Sequence, residues 1–147
     1  MRFPSTRRSI IALFGLAAAV ALGCGGGGDD GLTGTQDVNV TGTWDAIVTV
    51  TGGTQLPEGT EFGAVLVITQ SGTTATGTSV AEGGFVGQLS GTISGRSLEF
   101  TITQGDPCPG SFSGTATVNG SNTRMSGSYS GSDCNGSLQA TLVATKR

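Results

Sequence analysis

Histidine is absent from this chain of 147 residues. The commonest general base and the commonest metal ligand are therefore missing. Charge is scarce as well: Asp, Glu, Lys and Arg together make 12% of the sequence, about half the usual share. Ser, Thr and Gly do the solvating in their place. Aromatic residues make only 5%, with a single Trp and a single Tyr. No stretch beyond the first two dozen residues has helical periodicity, and no apolar run is long enough to span a bilayer comfortably as a helix. The glycine tract after Cys24 is no phosphate cradle, because it has no preceding strand, no Lys and no following helix. The numerous serines have no recognisable base beside them. These absences lead us to expect a non-enzymatic protein with no cofactor and no metal centre.

What the chain does have begins at its amino terminus. "MRFPSTRRS" carries Arg2, Arg7 and Arg8 and no acid, and "IIALFGLAAAVAL" follows as an apolar run from Ile10 to Leu22. A charged n-region, an apolar h-region and small residues at the cut describe a secretory signal peptide. "ALGC", Ala21 to Cys24, resembles a bacterial lipobox. The resemblance implies cleavage after Gly23 and lipid on the Cys24 sulfur, a membrane partner reached through an N-terminal lipid anchor. Gly25 follows where an Asp would resemble the inner-membrane retention signal, so the resemblance implies the outer membrane of the cell envelope. Residues 24–39 read as lipidated cysteine and flexible Gly-rich linker.

Without residues 1–23 the chain keeps four basic residues, Arg96, Arg124, Lys146 and Arg147, against all ten acids, a net of −6. A negative domain with scattered cations is a poor nucleic-acid binder. With Cys24 assigned to lipid, Cys108 and Cys134 remain, and in an exported protein two remaining cysteines are expected to form a disulfide.

From Val40 onward the pattern is period-two alternation interrupted by Gly, Ser and Asn. Trp44, Ala46, Val48 and Val50 share one parity; Leu98, Phe100 and Ile102 share another, as do Leu138, Ala140, Leu142 and Ala144. Apolar residues on one parity and Ser/Thr on the other describe strands with one buried face. The reading gives eight strands, at 41–51, 63–70, 73–81, 84–94, 97–104, 111–119, 123–130 and 136–146. Their short, regular connections predict an all-β domain over 40–147, an eight-stranded antiparallel up-and-down meander closed into a barrel. Tight connections at 71–73, 94–97 and 119–122 alternate with longer ones at 52–62, 81–84, 105–110 and 130–136. One end of the barrel is therefore expected to be pinched, while the other carries the loops and both cysteines. Both ends of the domain are expected at the pinched end.

"VTGTW", Val40 to Trp44, is similar to the start of calycin barrels, the lipocalin and avidin-like proteins, whose first strand opens with a Gly-x-Trp motif, here Gly42-Thr43-Trp44. The resemblance implies a structural Trp44 that plugs the pinched end, with a basic residue from the last strand, Lys146 or Arg147, laid across it. In avidin-like proteins polar ligand-binding residues stand two and six places after that tryptophan; this chain has Ala46 and Val50, so biotin is not expected.

An eight-stranded barrel is either filled by side chains or holds one small ligand. Gly87, Gly91, Gly114 and Gly127 share the inward parity. Missing side chains there either leave a cavity lined by Phe85, Leu89, Phe100, Phe112 and Tyr129 or relieve backbone crowding as the sheet coils. Glu58, Glu61, Asp106 and Asp133 fall on one rim, where a weak calcium site competes with the plainer reading of solvated loop acids. Three functions are carried forward. The leading one is an envelope protein, monomeric, that binds or scaffolds partner proteins through its rim loops. The alternatives are a lipocalin-like carrier of a small apolar ligand and a calycin-type protease inhibitor. An enclosed volume of at least ~300 Å³ would favour the carrier.

Overall fold

The computed structural model describes residues 38–147. Cys24, residues 1–23 and the linker up to residue 37 lie outside the described residues. The remainder is eight strands: β1 (Gly42–Gly53), β2 (Glu61–Ser71), β3 (Thr74–Ala81), β4 (Phe85–Ser94), β5 (Ser97–Gln104), β6 (Gly110–Val118), β7 (Arg124–Asp133) and β8 (Gly136–Lys146). Each pairs antiparallel with the next, and β8 returns to β1 through pairs such as Trp44 with Lys146 and Ala46 with Ala144. The sheet is a closed up-and-down barrel, so no strand leaves an unpaired edge.

Period-two patterning fixes which face turns inward. On β1, Trp44, Ala46, Val48 and Val50 are buried while Asp45 and Ile47 are exposed, and β8 repeats the alternation at Leu138, Ala140, Leu142 and Ala144. A slip of one residue would expose every one of these side chains.

Turn chemistry fixes the pinched end. Gly72 and Gly95 both adopt a φ of 59° and no residue directly after them does, the Gly-first pattern of a tight hairpin. The β6–β7 turn is built around Asn119. Its Oδ1 accepts from the backbone N–H groups of Thr123 and Arg124, both at 2.9 Å. Asn122 there is the one described non-glycine residue with a positive φ, 58°, a conformation Asn tolerates. Both ends of the domain lie at this end, where β1 starts and β8 stops.

The four inward-parity glycines relieve crowding. A Cβ on Gly127 would collide with the Thr115 carbonyl oxygen of the neighbouring strand, and one on Gly114 with the Ser128 carbonyl and Tyr129. Cβ atoms on Gly91 and Gly87 would strike the Glu99 carbonyl and the Ile102 side chain. The strands approach too closely there for any side chain, which is how a small barrel coils.

Only β5 and β8 keep both of their expected ends; most of the other ends differ by one residue, and β1 runs two residues further, to Gly53. β2 begins two residues earlier, at Glu61, and β7 runs three residues further, to Asp133. Backbone pairing there continues through Ser130, Gly131 and Ser132, which have no apolar alternation to advertise it. The linker also ends sooner than expected. Val38 is buried, its N–H donates to the Gly95 carbonyl at 3.0 Å, and it belongs to the core.

Candidate functional site

The pinched end is sealed from within. Trp44 is completely buried, its Nε1–H donates to the Val40 carbonyl at 2.9 Å, and the Lys146 ammonium stands 5.4 Å from the ring centroid, within cation–π range. Arg147 goes elsewhere: its guanidinium grips Asp45 through two hydrogen bonds of 2.6 and 2.8 Å. That hydrogen-bonded guanidinium holds the Asp45 carboxyl below its usual range. Residues 38–41 lie across this end, with the Val40 N–H donating to Gln70 Oε1 at 2.8 Å and the Gln70 N–H to Thr41 Oγ1 at 2.9 Å.

Above this plug the barrel is hollow. A cavity of about 320 Å³ occupies the interior toward the loop-bearing end. Ile68, Leu98 and Met125 form its floor, and Phe62, Leu89, Phe100, Ile102 and Phe112 its walls. All five residues expected from parity to face a cavity, Phe85, Leu89, Phe100, Phe112 and Tyr129, lie on its surface. Phe85 is 41% exposed and stands at the mouth. Tyr129 pairs with Gly114 across β6 and β7, and its ring lies 6.3 Å from that of Phe100 and 6.2 Å, edge-on, from that of Phe112.

Six of the lining residues are polar, Gln55, Thr60, Ser79, Glu82, Gln104 and Tyr129. Ser79 is the one buried polar residue among those described, and its hydroxyl makes no hydrogen bond with any described residue. The Tyr129 hydroxyl makes none either, and burial pushes its pKa up to about 12. The Oε1 atoms of Gln55 and Gln104 are buried without a partner. Buried polar groups are normally paired. The two glutamine oxygens, on residues that line the cavity, are what a ligand with its own donors would satisfy.

Sequence reasoning missed Ser79, Gln55 and Gln104. Two of them were visible, since Ser79 follows Ala75 and Gly77 on the inward parity of β3 and Gln104 ends the series Leu98, Phe100, Ile102. Gln55 was not, because it reaches the cavity on the β1–β2 loop, which folds over the rim with Leu56 against the core.

The rim around the mouth is tied together. Cys108 and Cys134 form a disulfide between the β5–β6 loop and the β7–β8 turn. Asn135 Nδ2–H donates to the Cys108 sulfur at 3.1 Å. Gln55 Nε2–H donates to Asp133 Oδ2 at 3.0 Å, and the Thr54 and Gln55 N–H groups both donate to the Ser137 carbonyl. The four rim acids are not gathered around one point. Among the described residues the group of possible ligands that lies close enough is Cys108, Asp133 and Cys134, and its two sulfurs are bonded to each other.

No protein family and no curated protein matches the chain. Among solved structures it is similar to a redesigned β-barrel, mFAP1, bound to DFHBI, at 15% identity over 74% of this chain and 94% of that one, with a TM-score of 0.46.

Proposed function

We propose that the chain is a non-enzymatic, lipid-anchored envelope protein whose barrel carries a small apolar molecule. The observation that carries this reading is the cavity of about 320 Å³, apolar on most of its surface, with the unpartnered Ser79 and Tyr129 hydroxyls on its wall. Of the three functions raised by the sequence, a rim-loop scaffold and an inhibitor have no need of an empty interior. The volume matches a ligand at the small end of the usual range. Anchoring rests on the lipobox-like segment ending in Cys24 and on the outer-membrane expectation attached to Gly25. Lipid at the amino terminus would leave the mouth, at the opposite end from residue 38, facing away from the membrane.

The test is binding of a neutral apolar dye, N-phenyl-1-naphthylamine, to the full-length chain, followed by its fluorescence. Saturable binding is expected. Ala64→Phe, which fills part of the cavity from β2, is expected to weaken it at least about tenfold while the far-ultraviolet spectrum stays unchanged. A dye affinity untouched by Ala64→Phe in a folded protein would place any binding outside the barrel.

A further inference from the structure

The cations of the barrel are confined to one end, where Asp45 and Glu99 accompany them. All four cations among the described residues, Arg96, Arg124, Lys146 and Arg147, stand at the pinched end: in the β4–β5 turn, at the start of β7 and at the end of β8. The rim carries five acids instead, Glu58, Glu61, Glu82, Asp106 and Asp133, on the loops and strand ends around the mouth. Glu82 in the β3–β4 turn lines the cavity itself. Inside, no positively charged side chain reaches the wall, and the buried unpartnered atoms of Gln55 and Gln104 are acceptors.

An anionic head group entering this mouth would meet carboxylates first and would find no cation to replace its water. A cationic one would be drawn by the rim, whose field is concentrated at a low-dielectric opening, and its N–H groups would meet the amide oxygens. Resting on the carrier reading above, we infer that the ligand is a lipophilic amine, an apolar body in the cavity with a protonated, hydrogen-bond-donating nitrogen at the mouth beside Glu82.

A matched series separates this inference from the reading on which it rests. Decylamine, decanol and decanoate share one apolar body and differ only in the charge of the head. Each would be used below its micellar concentration, near neutral pH and at low salt, to displace N-phenyl-1-naphthylamine from the full-length chain. Decylamine is expected to bind most tightly, at least about tenfold more tightly than decanoate. Its advantage over decanol should shrink at high salt and in Glu82→Gln, a substitution at an exposed turn that leaves the core untouched. Decanol or decanoate binding as tightly as decylamine overturns the inference while leaving the cavity a carrier site. An amine preference that survives both Glu82→Gln and high salt also overturns it. If the dye binds, is weakened by Ala64→Phe and is displaced by none of the three, the inference fails while the carrier reading stands; if the dye does not bind at all, both fail.

Discussion

At the scale of single residues, Tyr129 joins the cavity's chemistry to a clean observable. Its ring packs against those of Phe100 and Phe112, and burial raises its pKa to about 12, against about 10 for an exposed phenol. The chain has no other tyrosine, so the rise of phenolate absorbance in a rapid pH jump reports this group alone. The folded protein is expected to titrate near pH 12, and the denaturant-unfolded chain near 10. The sign follows from the direction of the shift: the folded state holds the proton more tightly. The contribution to stability is therefore full below pH 10 and is lost as pH climbs from 10 through 12. A folded-state midpoint near 10 would mean that the hydroxyl is bathed in solvent rather than enclosed. The apolar residues around it were legible because strand parity alone decides which side chains face in. Gln104 and Ser79 obeyed the same parity, but polar side chains at inward positions stand out only once the apolar positions around them are known to enclose a space.

At the scale of strands and loops, the number of strands and the alternation of short and long connections could be read directly, since turns announce themselves through Gly, Asn and Ser. Strand ends could not, because a ladder of backbone hydrogen bonds extends over Ser130 to Ser132 without any apolar signal. The way the rim loops lock together was equally hidden. The β1–β2 loop is tied to the β7–β8 turn by Thr54, Gln55, Asp133 and Ser137, pairs that are about eighty residues apart in the chain. The disulfide is the covalent part of this clamp. Its cysteines are 26 residues apart, so in the chain-entropy account its loss costs about 3 kcal/mol. The double variant Cys108→Ser, Cys134→Ser is expected to lower the unfolding free energy by about that amount, read in urea through the buried Trp44. Because Gln55 and Asp133 sit next to the lost link, dye release from the cavity should also accelerate. An unchanged release rate would show that hydrogen bonds alone hold the rim in place.

At the scale of the whole molecule, the barrel is closed at one end and open at the other, and the closure depends on residues 38–41, the first two of which composition assigned to the linker. "TQDVNV" reads as a polar tether when judged by its neighbours, yet Val38 and Val40 alternate just as the strands do and both are buried. They lie over the end of the barrel, where the Val40 carbonyl accepts from Trp44 and its N–H donates to Gln70. Removing residues 38–41 would expose the top of the tryptophan plug, leave its indole N–H without an acceptor and forfeit two nearly complete valine burials. Each valine contributes about 1.5 kcal/mol or more, and the orphaned donor about 1–3 kcal/mol. Residues 42–147 are therefore expected to unfold in urea at a free energy about 4–6 kcal/mol below that of residues 38–147, with the Trp44 emission shifted to the red. Equal stability of the two truncated chains would mean that the barrel closes on its own strands, with residues 38–41 merely resting on the outside.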